Sequence, residues 1–171
     1  MSPTPKIRAL APDDGAALIA LRREALLDSP FAFGASPEDD QGFSPEAVRA
    51  SLSNSGHSVV LGAFADEALV GMVGVVQMNR RKANHKALIW GMYVTPAARR
   101  TGVGAALLSA AIARARSWPG VLQVHLAVSE TTPGARRLYE HAGFREWGAE
   151  PRAIHWEGRF AVEHHMMLDL G

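Results

Sequence analysis

The chain of 171 residues has no cysteine. That excludes disulfides, a thiolate nucleophile and cysteine-ligated metal, and it fits a reducing compartment. Long apolar runs are also missing. No stretch approaches the roughly 18 residues that a membrane helix needs, and the opening MSPTPKIRALAPDDG has no apolar signal-peptide core. Charge of one sign is lacking too: 18 Lys and Arg stand against 17 Asp and Glu, a net +1. Such a balance gives no support to a nucleic-acid or acidic-membrane partner. What is present is an ordinary globular composition, 47% hydrophobic and 20% charged, too apolar for a disordered chain. No repeat, low-complexity tract or linker divides it. The expectation is a single cytoplasmic domain over residues 1–171, binding neither nucleic acid nor membrane.

Periodicity orders the chain into elements. Lys6–Leu10 alternates like a strand. A helix follows, with Ala17, Leu18, Leu21, Ala25 and Leu26 on one face and Asp13 or Asp14 as its N-cap. Residues 30–43 read as a loop carrying exposed aromatics Phe31, Phe33 and Phe43. Ser44 and Pro45 open a short second helix. Ser58–Ala65 and Leu69–Asn79 form a hairpin about Asp66 and Glu67, and His85–Val94 is a third strand in this series. Leu107, Leu108, Ala111, Ile112 and Ala115 mark the most regular helix. Gly120–Val128 is a strand, Pro133 to Gly143 spans a helix, and FREWG and RFAVEHHMMLDL are the final strands. A strand–helix–strand crossover requires a parallel pair, whereas a hairpin requires antiparallel pairs. The predicted fold is therefore α/β, one mixed twisted sheet with helices on both faces.

Between the strand ALIWGMYV and the apolar run AALLSAAIARA lies RRTGVG, Arg99 to Gly104. A small-residue loop feeding a helix start presents bare N–H groups and suits a phosphate. The Gly-Lys-Ser/Thr ending of an ATP-binding loop is absent. A dinucleotide fingerprint would need glycine where Leu107 stands.

Arg99-x-x-Gly102-x-Gly104 resembles the acetyl-coenzyme A signature of the GNAT acetyltransferases. The strand end Met92–Pro96 before it is similar to the family's, and so is the block after it. There Leu126, Val128, Ala135, Leu138, Tyr139, Glu140, Gly143 and Phe144 match at the family's spacing. The likeness runs from about Lys6 to Leu170. It extends to bacterial members sharing Ser29–Gly34, Trp90–Val94 and Gly148–Ile154. The resemblance implies the GNAT fold, a central twisted mixed sheet of about seven strands flanked by about four helices. It implies acetyl-CoA as co-substrate, with no metal, and transfer of acetyl to a primary amine of a small molecule or of a protein N-terminus. Homodimers are common in the family.

The same resemblance implies roles for individual residues. The backbone of Met92, Tyr93 and Val94 receives the pantetheine arm. Arg99, Arg100, Thr101, Gly102, Val103 and Gly104 grip the pyrophosphate, and Thr132 and Ala135 add cofactor contacts. Tyr139 is the acid that protonates the leaving thiolate, although the same residue could simply pack beside Leu138. Three positions depart from the family pattern: Arg100 stands where many members have Gly, Thr132 where Asn is common, and Ala127 where some members carry an acid. No general base therefore carries over. His125, on the strand face of Ala127, is a candidate, with Glu163, His164 and His165 behind it. Adjacent His164 and His165 point to opposite faces of a strand, which disfavours a metal site.

On the acceptor side the loop of residues 29–43 contributes Phe33. Trp90 could wall the pocket or fill the core. Glu38, Asp39 and Asp40 could attract a cationic amine or could simply be solvated. Residues 150–160 read as a loop or ribbon between the last strands. With no base identified, a non-catalytic acyl-CoA-binding or sensor module is the alternative reading.

Overall fold

The computed structural model describes residues 5–40, 43–54 and 56–171. Gln41 and Gly42, within the expected acceptor-side loop, lie outside the described residues. Strand β1 (Lys6–Ala9) leads through a short 3-10 turn into α1 (Gly15–Asp28). After α2 (Pro45–Ser53) come β2 (Ser58–Ala65), β3 (Ala68–Gln77) and β4 (Lys86–Val94). Then α3 (Val103–Ser117), β5 (Gln123–Ser129) and α4 (Pro133–His141) precede β6 (Arg145–Trp156) and β7 (Arg159–Asp169).

The strands form one sheet in the order β1-β2-β3-β4-β5-β7-β6. The β4–β5 pair is parallel and every other pair is antiparallel. The mixed sheet is as expected, and α3 makes the expected parallel crossover. The second crossover ends differently. After α4 the chain lands one place further out, and β7 returns between β5 and β6.

Each face of the sheet has its own core. On one side α3 buries Leu107, Leu108 and Ala111, and α4 buries Tyr139, against Val73, Val75, Val124 and Met166. Each large apolar side chain so covered contributes about 1.5–3 kcal/mol. On the other side α1 and α2 lay Leu18, Leu21, Leu26 and Val48 onto Val60, Phe64, Met72 and Tyr93.

Four local expectations are corrected. Asp14 does not cap α1 with its side chain. Its carboxylate takes the Ala11 N–H at 2.7 Å and both Arg8 Nη atoms at 2.7 and 2.8 Å, a charged fork stronger than a helix-end amide. Ala17 is exposed, because the buried stripe of α1 runs through Leu18, Leu21 and Arg22 instead. Phe33 is buried and Phe31 and Phe43 are half-buried, so the loop's aromatics serve the interior. The strand begun by FREWG continues to Trp156 in register with β7, interrupted by bulges near Glu146 and after Glu150.

The feature that positions the site is a parting of strands. β4 and β5 pair only over Lys86, Ala87 and Leu88 with Gln123, Val124 and His125. Beyond Leu88, β4 carries an extra residue relative to β3, between the Gly74–Trp90 and Met72–Tyr93 pairs. Gly91 takes the irregular position with φ +61°. A bulge bends its strand, and a cleft opens between β4 and β5. Gly74 makes room for the indole of Trp90, since a Cβ there would sit 2.1 Å from the ring.

Candidate active site

A cavity of about 560 Å³ fills the cleft. Its walls are the parted halves of β4 and β5, the loop before α3, the start of α4 and the end of α1. The backbone edges of residues 89–94 and 126–129 face it without pairing with each other, so their N–H and C=O groups are available to an extended ligand.

At the far end stands the glycine loop. Gly102 is the N-cap of α3 in the left-handed region, φ +91°. Arg100 is also left-handed at φ +64°, an uncommon state for a residue with a Cβ. Gly104 lies against Leu138, 3.4 Å from where its own Cβ would be. The first amides of α3 have no side-chain cap, and the helix adds a favourable field of roughly 0.3–1 kcal/mol for an anion at an exposed end. The loop thus fits a pyrophosphate.

The predicted site residues divide by placement. Met92, Tyr93, Val94, Arg99, Arg100, Gly102 and Gly104 line the cavity, as do Thr132, Ala135, Tyr139, Phe33 and Trp90. Thr101 and Val103 do not. Thr101 Oγ1 donates to the Ala98 carbonyl at 2.7 Å, and the Val103 side chain is in the core. Arg99 borders the cavity with its guanidinium engaged elsewhere: Nε donates to the Val94 carbonyl at 3.0 Å, and Nη2 pairs with Asp28. The Arg99 hydrogen bond holds the Asp28 carboxyl below its usual range. Tyr93 sends its hydroxyl the other way, to Glu24 Oε1 at 3.0 Å, and burial pushes its phenol up. Thr132 donates its hydroxyl to the Ser129 carbonyl at 3.0 Å, which leaves its lone pairs to accept.

Tyr139 is 6% exposed and packs edge-on against Phe144, ring centroids 6.0 Å apart. Its hydroxyl makes no hydrogen bond among the described residues. Burial in the apolar core pushes its phenol up to about 12, so it is a protonated donor throughout the neutral range.

His125 lies off the cavity. Its Nε2 is 3.2 Å from Gln123 Oε1 and its ring stands edge-on to Trp147. Burial first, then nearby Lys86 and His85, hold its imidazole below the usual range. His165 is directly opposite Ala127 across the β5–β7 pair, with Nε2 3.4 Å from Glu150. His164 faces Glu146, 3.1 Å away. No three His, Asp or Glu residues among those described gather to hold a metal. In the acidic loop Asp39 accepts from the Ser36 N–H at 2.6 Å, and Asp40 pairs with Arg22, so both carboxylates serve the loop itself.

Sequence reasoning missed Ser29 and Ala32, which border the cavity from the end of α1, and Arg22. Ser29 and Ala32 fall within the Ser29–Gly34 segment shared with bacterial members, but nothing in that segment assigned either one to the cavity wall. Arg22 has one signal: a charge four residues after Leu18, on the apolar face of α1.

The sequence matches the acetyltransferase (GNAT) family model over residues 18–144. No curated protein matches it. Solved structures share the fold across nearly the whole chain. A GNAT-family acetyltransferase from Streptococcus pneumoniae has a TM-score of 0.87 at 23% identity, covering 98% of this chain and 100% of that one. The yncA protein from Salmonella typhimurium, solved with acetyl-CoA, has a TM-score of 0.84 at 21% identity, covering 99% and 95%. A GNAT superfamily phosphinothricin acetyltransferase from Sinorhizobium meliloti, in complex with AcCoA, has a TM-score of 0.83 at 22% identity, covering 100% and 90%.

Proposed function

Because the chain belongs to the GNAT acetyltransferase family, we propose that it moves the acetyl group of acetyl-CoA to a primary amine of a small molecule, by direct attack of the amine on the thioester. The observation that carries this reading is Tyr139, a buried phenol with no hydrogen-bond partner among the described residues, on the wall of the cleft between β4 and β5.

Four things must happen, and the residues divide them. The parted edge of β4 binds the pantetheine arm as an added strand would. Amides at the start of α3 and the Arg100 guanidinium bind the pyrophosphate. The amine must arrive neutral, and an alkyl amine of pKa near ~10.4 is neutral about once in a thousand encounters at pH 7. The proton the nitrogen sheds passes to water, since no His, Asp or Glu lines the cavity among the described residues. As the nitrogen–carbon bond forms and the carbon–sulfur bond breaks, Tyr139 gives its proton to the sulfur and regains one from solvent. The proton lost by nitrogen balances the one gained by the thiol.

The test is release of free CoA thiol from acetyl-CoA across a panel of amines. Turnover with a class of amines supports the reading. Silence, with acetyl-CoA still raising the melting temperature, replaces it with an acyl-CoA-binding module.

The strained loop supplies a separate prediction. Arg100→Gly removes a left-handed Cβ that costs about 1–2 kcal/mol and also removes a cation from the pyrophosphate grip. The expected result is a higher Tm together with weaker acetyl-CoA binding, read by thermal unfolding and calorimetry. Loss of stability would show that the Arg100 side chain contributes more to the fold than its backbone strain costs.

A further inference from the structure

The acceptor's chemistry can be carried further, resting on the acetyl-transfer reading above. Arg22 is 8% exposed. Its Nε and Nη2 donate to the two carboxylate oxygens of Asp40 at 3.0 and 3.3 Å. The rings of Phe33 and Phe43 lie 5.1 and 5.0 Å from the guanidinium carbon. Clamped by Asp40 and two aromatic rings, the group has a fixed direction. Its remaining nitrogen, Nη1, has no hydrogen-bond partner among the described residues. It lies 3.9 Å from the place a Cβ on Gly91 would occupy. Gly91 is the bulge residue of β4 and borders the cavity beside Trp90 and Phe33. An ion pair that only ordered the loop would account for Nε and Nη2. It leaves Nη1 without a partner beside Gly91, the cavity-lining residue at the bend of β4.

We propose that Arg22 Nη1 anchors a carboxylate of the acceptor, so that the acceptor is an α-amino acid or a related amine with a carboxylate on the carbon that bears the nitrogen. Three points fit this class. The Nη1 donor lies beside the bulge, so a short acceptor can reach it with one end while offering its nitrogen to the thioester with the other. Asp40 already neutralises Arg22, so an amino acid with its amine neutral brings a single carboxylate to the pocket, whereas a dicarboxylate would bring two. A polyamine would set a cation beside a guanidinium, and the carboxylates of Asp39 and Asp40 are committed to Ser36 and Arg22.

The test compares matched acceptors in the thiol-release assay: an α-amino acid, its carboxamide and its decarboxylated amine, for several side chains. For the wild-type protein, kcat/KM for the amino acid should exceed that for the decarboxylated amine by about tenfold or more, mainly through KM, as loss of a hydrogen bond to a charged group would give. Arg22→Gln should bring that ratio toward one. Since Arg22→Gln strands Asp40 in the interior, the paired change Arg22→Met with Asp40→Leu is run beside it, an apolar swap that buried ion pairs often tolerate, and it should erase the ratio too. Equal or better turnover of the decarboxylated amines overturns the carboxylate anchor and leaves the transferase. A ratio kept in both variants overturns it as well. Silence with every acceptor while acetyl-CoA still binds overturns both readings.

Discussion

Tyr139→Phe should lower kcat by about 10²–10⁴-fold, the range that a positioned acid contributes, while acetyl-CoA affinity and Tm stay at wild-type values. The deleted oxygen has no hydrogen-bond partner among the described residues, so its removal leaves no orphaned group. The ring keeps its edge-on packing on Phe144 and its place in the core. Chemistry and stability are therefore separable at this position, which is uncommon for a residue only 6% exposed. The pH profile adds a second readout. Burial disfavours the phenolate and moves the phenol from its ordinary 10 up to about 12, so the acid form persists as pH rises. The wild-type rate should climb with pH as the amine loses its proton, with no alkaline fall near 10. Steady-state kinetics across pH, with calorimetry of acetyl-CoA binding, measures all of this. Wild-type turnover in Tyr139→Phe would remove the phenol from the mechanism and make its role packing alone.

The second large effect is expected at Gly74, far from any motif. Its Cα stands opposite Trp90 in the β3–β4 register. A Cβ would come within 2.1, 2.4 and 2.5 Å of three indole atoms. A flexible side chain could swing aside, but the rigid indole is packed edge-on against Phe43, ring centroids 6.4 Å apart. Gly74→Ala should therefore cost about 3 kcal/mol, the upper part of the usual overpacking range, and lower Tm by roughly 6–12 °C. Turnover should fall as well, because the displaced indole is a wall of the cavity. Trp90→Ala in the same chain removes the clash, so the double variant should be more stable than the two single losses summed. Thermal unfolding of the three variants decides it, and simple additivity would show that β3 and β4 separate to admit the methyl group.

Much of this architecture was legible from local pattern. The hairpin strand Ser58–Ala65, the glycine loop and the helix opening at Pro133 depend on alternation, on left-handed glycine and on a proline that pre-sets its own φ. All of these are properties of neighbours in sequence. The features that were not legible are tertiary. Asp14 reads as a helix cap until Arg8, brought alongside it, proves the stronger partner. Phe33 looks exposed in a polar loop until that loop folds over Arg22. The reach of β6 to Trp156 is set by its pairing with β7, which no window of β6 contains. At the site, the cofactor side was readable because its residues cluster within one crossover. The acceptor side, as proposed, draws on α1, the loop after it and the bulge of β4, which meet only in the folded chain. Arg22 was visible merely as a charge out of place on an apolar helix face.

The three residue pairs that join β4 to β5 divide the sheet into two panels, β1 to β4 and β5 to β6, stitched along one short seam. An extended ligand lying in the opening, as proposed for acetyl-CoA, would supply the missing stitches. Amides on the facing edges of residues 89–94 and 126–129 should exchange with solvent readily in the free protein and become protected when acetyl-CoA binds. The resulting stabilisation is about 2.7 kcal/mol at a ligand concentration a hundred times its Kd. On that placement the acyl donor would also be an eighth strand, and the integrity of the sheet would rise and fall with its supply.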